Sequence, residues 1–157
     1  MCIRDRFMAS RASCSVPLIT KIQHYMGYDL LDGGISDPIP IEKSLADGNT
    51  FHVIVLTRNK GYQKEPFGHT AFLKAAFRKY PAVAEAMRTR HEIYNRQLAL
   101  CEKLEKEGRA VIIRPLKPLN VSRTKAEVPA LLALHDEGLY EGRAALGSIK
   151  EMLSIKL

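Results

Sequence analysis

The chain has 157 residues, 46% of them hydrophobic, which suits one domain of ordinary size and excludes a disordered segment. A net charge of +7 favours contact with something anionic, phospholipid head groups or nucleic acid, without choosing between them; a basic surface with no partner fits as well. No apolar run is long enough to span a bilayer, and the unspaced Cys2, Cys14 and Cys101 suggest neither a zinc site nor a disulfide framework but a reducing cytoplasm.

In chain order, Met1 to Arg6 is charged and no apolar stretch follows it, so it reads as a non-native leader outside the fold. Phe7 to Ser15 is rich in small residues and reads as the tail of a close-packed helix, stopped at Val16-Pro17 because the residue before proline is pushed out of the helical region. Ile22 to Tyr25 and Tyr28 to Leu31 flank Met26-Gly27, a hairpin signal. The hairpin delivers the chain to Asp32-Gly33-Gly34, and a turn with Pro38 and Pro40 follows. Glycine permits positive φ and close backbone approach, and proline stiffens the exit. Asp32 is therefore the first candidate for chemistry, although an Asp-Gly-Gly also serves as a plain turn.

Ile41 to Asp47 predicts a short helix, with Ile41 and Leu45 on one face. Phe51 to Leu56 is a nearly continuous apolar run and predicts a strand buried on both faces. Thr57 to Phe67 reads as a basic loop carrying Arg58, Lys60 and Lys64. Thr70 to Tyr80 predicts a helix with Phe72, Ala75 and Ala76 on one side, and Pro81 suits the start of the next helix. That helix, to Glu107, repeats Val83, Met87, Tyr94, Leu98, Cys101 and Leu104 at three- and four-residue intervals, with Gly108 as its stop. Ala110 to Ile113 predicts a second buried strand, and the strand–helix–strand order predicts a crossover onto one sheet. The next helix starts at Thr124, where Thr124 to Glu127 fits a capping box, or at Pro129, with Val128, Leu131, Leu132 and His135 on its apolar face. Gly138 and Gly142 are expected to break it before a last helix carrying Ala145, Leu146, Ile149, Met152 and Leu153.

The succession Ala12 to Pro17, a hairpin with Gly27, Tyr28 to Asp32-Gly33-Gly34 and then Asp37-Pro38-Ile39-Pro40 resembles the second half of a patatin-like phospholipase domain. Leu56 to Tyr62 is similar to a segment of the bacterial branch of that family, as are Tyr80-Pro81, Arg90-His91, Tyr94-Asn95 and Val121-Ser122-Arg123. The resemblance runs from about Phe7 to the end. It implies the C-terminal part of a three-layer α/β sandwich over residues 7–120, with a mostly helical extension over 121–157. It also implies a lipid acyl hydrolase in which a serine in a Gly-x-Ser-x-Gly elbow attacks an ester carbonyl and an aspartate in an Asp-Gly motif is its base. By that match Asp32 is the dyad aspartate, and Gly33 and Gly34 shape its turn.

The requirement has a physical basis. A serine hydroxyl is a weak nucleophile that needs a base within hydrogen-bond reach, and an elbow at a strand-to-helix turn calls for a base at a strand end. Yet no Gly-x-Ser-x-Gly occurs in these residues, around Gly147-Ser148 or at any other serine, and the family's glycine-rich anion loop is missing too. Both stand upstream of Phe7 in the family. The expectation is a fragment of a lipid-ester hydrolase, inactive alone, cytoplasmic or peripheral to an anionic membrane, with no metal or organic cofactor and with nucleic acid not expected as its partner.

Asp37 precedes a proline and serves the turn, while Asp29 alternates along its strand toward solvent. His24, His52, His69, His91 and His135 show no metal-ligand spacing, and His91 and His135 read as structural groups on helix faces. Cys101, on an apolar helix face, reads as a buried thiol. Arg58, Lys60 and Lys64 are the candidate head-group contacts, with Lys74, Arg78 and Lys79 following. The rival reading is a non-enzymatic basic module that binds anionic membrane or nucleic acid through Arg58 to Lys79.

Overall fold

The computed structural model describes residues 3–118, 121 and 127–154. Cys2, Ser122, Arg123 and the first three residues of the Thr124 capping box lie outside them. The chain divides into two compact units, one formed by Met1–Pro40 and Lys64–Arg96, the other by Ile41–Gln63 and Gln97–Leu157.

In the first unit, helix α1 spans Ile3–Ser13, so the described part of the leader, Ile3 to Arg6, is helical and continuous with the small-residue stretch. The Tyr25 hydroxyl donates to the Asp5 carboxylate at 2.5 Å, tying that turn to the hairpin. The helix ends ahead of Pro17, and the Ser15 hydroxyl donates back to the Arg11 carbonyl at 2.8 Å.

Strands β1 (Gln23–Tyr25) and β2 (Tyr28–Leu30) pair antiparallel, with Gln23 opposite Leu30, His24 opposite Asp29 and Tyr25 opposite Tyr28. Met26 and Gly27 turn between them with φ of 51° and 80°. Both values are left-handed, as a two-residue turn matching the twist of the strands requires, and Gly27 adopts its value without a Cβ clash.

Helix α3 spans Thr70–Ala76. Its inward face is Leu73 and, at its C-cap, Phe77, which join Ala84 in the unit's buried cluster; Phe67, Tyr80, Val83 and Met87 pack on it. This corrects the expected face, since Phe72 is 56% exposed and Ala75 and Ala76 lie outward. Leu73 and Phe77 are also four apart, so spacing alone gives two admissible faces; the bulkier combined pair is the buried one.

Helix α4, Pro81–Lys106, begins in the first unit and ends in the second. It starts at proline as expected, with the Val83 and Ala84 amides bonded to the Tyr80 carbonyl. It ends in the paired bonds Arg109 N–H to Leu104 O and Gly108 N–H to Glu105 O, the Schellman arrangement.

In the second unit, α2 (Ile41–Ala46) precedes β3 (His52–Val55), and β3 pairs parallel with β4 (Ala110–Ile113), His52 opposite Ala110 through Val55 opposite Ile113. This is the crossover read from the sequence. The expected two-faced burial of β3 does not hold: His52 and Ile54 are buried, whereas Val53 and Val55 are 49% and 71% exposed. The described sheet has two strands, and along β3 only one face is covered, so burial alternates with the pleat.

Helix α5, Val128–Ser154, lies against β4. It is one helix rather than two and runs straight through Gly138, Gly142 and Gly147. An interior glycine costs about 1 kcal/mol relative to alanine, and the surrounding Leu, Ala and Glu residues offset that without a break. Its less exposed side includes Ala130, Leu134, Ala145, Ile149 and the buried Met152. The expected face of Val128, Leu131, Leu132 and His135 points outward instead, with Val128 at 67% and Leu132 at 59% exposure. Among the described residues the architecture is thus mixed α/β with two small sheets. No helix among the described residues is long and apolar enough to cross a membrane.

Candidate functional site

Asp32 follows the end of β2 by two residues and caps a single 3-10 turn, Gly33–Ile35. Its backbone N–H donates to the Ser15 carbonyl at 2.9 Å, which fixes the hairpin exit to the segment after α1. Its half-buried carboxylate accepts the Gly34 N–H through Oδ1 at 2.7 Å. The Gly34 carbonyl in turn accepts Arg90 Nε, from α4, at 2.5 Å. A donor on one side of Gly34 and an acceptor on the other hold the whole turn.

Gly33 and Gly34 do not use the positive φ that sequence reasoning allowed them. Gly34 serves the other expectation, close approach. A Cβ there would stand 3.1 Å from Asp32 Oδ1 and 3.6 Å from Arg90 Nη2, whereas a Cβ at Gly33 would meet nothing within 4 Å. The Asp-Gly-Gly stretch therefore contains one glycine in tight contact with Asp32 and one that faces open space.

Asp37 donates its backbone N–H to the Gly33 carbonyl at 2.9 Å and so belongs to the same turn. Asp29 stands apart. It is exposed as expected, yet it has two partners: His24 Nδ1 across the hairpin, and the Tyr80 hydroxyl, which donates to Oδ2 at 2.9 Å. The Tyr80 hydrogen bond, then that of His24, holds the Asp29 carboxyl below the usual carboxylate range, and the same bond raises the Tyr80 phenol. Sequence reasoning missed this trio. The hairpin register already places His24 opposite Asp29; nothing in the sequence signals Tyr80.

Of the candidate head-group cations, Arg58 stacks over the Tyr62 ring at 5.0 Å in the second unit, where Lys60 is exposed. Lys64 belongs to the first unit. Its ammonium lies 5.7 Å from the Tyr94 ring centre, and its backbone N–H and carbonyl are held by Asn95 at 2.8 and 3.1 Å. The basic loop is thus partly committed to internal cation–π contacts. A cavity of about 300 Å³ lies instead between α3 and α4, where Phe77, Pro81 and Ala84 line it together with Lys74, Arg78 and Arg88. Arg88 is paired with Glu85 at 2.6 Å.

His52 is buried in the second unit with Nδ1 3.2 Å from the Ser44 hydroxyl, and Nε2 has no hydrogen-bond partner. Burial, then the Arg109 charge, pushes its pKa down, so the ring is held neutral. Cys101 is fully buried, and its thiol is pushed up to about 11 by that burial. Among the described residues no three His, Cys, Asp or Glu side chains gather so as to hold a metal ion.

A family model described as a domain of unknown function (DUF6363) matches residues 80–154, a stretch that takes in Arg90, α4, β4 and α5 but not Asp32. No curated protein and no solved structure matches the chain.

Proposed function

We propose that Asp32 is the base of a Ser–Asp acyl-hydrolase dyad acting on carboxylic esters of lipids, in the manner of the patatin-like sandwich, and that the serine comes from outside these 157 residues. The observation that carries the reading is the fixing of Asp32. One carboxylate oxygen is anchored by the Gly34 amide, and the peptide beyond is anchored by Arg90. A base of this kind must hold its position while a hydroxyl proton is transferred, and a preorganised carboxylate at a strand exit meets that need. Gly34, where a Cβ would press on the Asp32 carboxylate at 3.1 Å, supports the same reading.

The test is direct. The coding sequence upstream of Phe7 is expected to encode a glycine-rich loop and a Gly-x-Ser-x-Gly elbow. The pure chain alone is expected to leave p-nitrophenyl esters unhydrolysed. Turnover by the chain alone that is abolished by Asp32→Asn overturns the missing-serine part of the proposal; a reading frame that starts at Met8 overturns the enzyme reading altogether.

A second reading is a basic module that binds an anionic surface. The cavity joining Phe77, Pro81 and Ala84 to Lys74 and Arg78 favours it, because an apolar floor with cations suits an anionic amphiphile; Arg88 on its rim is already paired with Glu85. Salt-sensitive sedimentation with phosphatidylglycerol vesicles, lost on Lys74→Glu with Arg78→Glu, is its expected signature; binding to an oligonucleotide instead favours its nucleic-acid version.

A further inference from the structure

The geometry of α5 points to a second copy of this chain as its partner: we infer that two α5 helices pair side by side as an antiparallel coiled coil. Leu132, Leu139, Leu146 and Leu153 recur at every seventh position, and all are solvent-facing, at 59%, 45%, 49% and 57% exposure. A leucine every seventh residue from Leu132 to Leu153 of one helix is the spacing that lets one helix follow another. An adjoining side of α5 is already used, since the helix lies against β4 with Met152 buried, and Ile149 stands half-buried on the edge the two sides share. The leucine stripe is therefore a second apolar face, in addition to the one that holds the helix to its own chain.

Self-pairing follows from what stands beside the leucines. With the four leucines at the a positions, the d positions are Val128, His135, Gly142 and Ile149. Antiparallel pairing sets a against d, so Leu153 meets Val128 of the second copy, Leu132 meets Ile149, Leu146 meets His135, and Leu139 fits over Gly142. Each large side chain faces a different partner, and the smallest residue lies opposite a leucine. The same alignment brings Asp136 of one helix beside Arg143 of the other, twice by symmetry, where both residues are exposed. A parallel pair would set His135 on His135 and Gly142 on Gly142. It would also give no opposite charges across the flanks, because the g positions are Leu131, Gly138, Ala145 and Met152. Charge and size complementarity thus select both the partner and its direction.

Sedimentation equilibrium of the intact 157-residue chain between 1 and 100 µM tests this. The expected mass is twice 17.6 kDa, falling to one copy for the Leu139→Glu, Leu146→Glu double variant with an unchanged far-ultraviolet spectrum. Asp136→Arg and Arg143→Asp are each expected to weaken the dimer at least tenfold, and their combination to restore it. These exposed-charge variants keep the test valid if the leucine variant misfolds. A monomer at 100 µM overturns the inference, as does a dimer indifferent to the leucines. A monomer that sediments with lipid vesicles assigns the stripe to a membrane surface instead, and a charge swap without restoration overturns the antiparallel register.

Discussion

Arg90 Nε donates to the Gly34 carbonyl at 2.5 Å, joining residues 56 positions apart in the chain. The bond reaches the residue whose N–H caps onto Asp32, so the turn that carries the carboxylate is tied to α4 as well as to the hairpin that precedes it. Removing a charged donor from a part-buried carbonyl costs about 1.5–3 kcal/mol. Arg90→Ala is expected to lower stability by that order in urea unfolding, and Arg90→Lys, which lacks the fixed fork of nitrogens, to recover only part of it.

Gly34→Ala places a methyl group against Asp32 Oδ1. It is expected to shift the Asp32 carboxyl carbon resonance and to destabilise the chain by about 1–3 kcal/mol, the usual range for overpacking. Gly33→Ala meets open space and is expected to leave that resonance in place. Equal effects at both glycines would mean that close approach to Asp32 is not what Gly34 provides.

The Tyr80–Asp29–His24 trio sets an acid-side dependence. The Asp29 carboxyl is held low in the fold, first by Tyr80 and then by His24. The unfolded chain therefore takes up the proton first as pH falls. The contribution is fully present well above the unfolded carboxylate value, about 3.9, and is lost as pH falls through the lower folded value. Tyr80→Phe is expected to flatten the decline of melting temperature below about pH 4 and to leave the neutral region unchanged.

His52 acts in a different window. Its folded pKa is depressed by burial, so below the unfolded value of about 6.5 the unfolded state binds the extra proton. Its contribution is complete above that value and declines as pH falls from there toward the folded pKa. His52→Gln is expected to remove this part of the decline in a pH series of thermal melts. A wild-type slope between pH 5 and 6.5 in that variant would exclude His52 as its source.

Cys14 is exposed and Cys101 is not. With its thiol pushed up to about 11, Cys101 is expected to resist iodoacetamide at pH 8 in the folded chain and to react once urea is added, whereas Cys14 reacts in both states. Mass spectrometry of the labelled peptides separates the two.

Local signals carried much of this fold. Met26-Gly27 between short apolar runs announced the hairpin, and Pro81 and Gly108 marked the ends of α4. The strand–helix–strand order announced the parallel pairing of β3 with β4. What failed was the choice among equivalent patterns. Phe72, Ala75 and Ala76 share helical spacing as well as Leu73 and Phe77 do, and only tertiary packing decides which face turns inward. Gly138 and Gly142 carry a break signal that long helical neighbours override. The apolar run at β3 shows how suited a strand is to burial, not how many of its faces are covered. At the site, Asp32 and its cap were legible because they are neighbours in sequence. Arg90 and Tyr80 were not, because nothing local marks a side chain that will reach a turn formed dozens of residues earlier.

The role proposed for Asp32 is that of a general base. It is tested most directly by the rate at which the product of the complete reading frame hydrolyses p-nitrophenyl butyrate, with and without Asp32→Asn. A positioned base contributes about 10²–10⁴-fold. A loss of that size is expected in the asparagine variant, with an unchanged melting temperature. Hydrolysis at the wild-type rate by Asp32→Asn would contradict it.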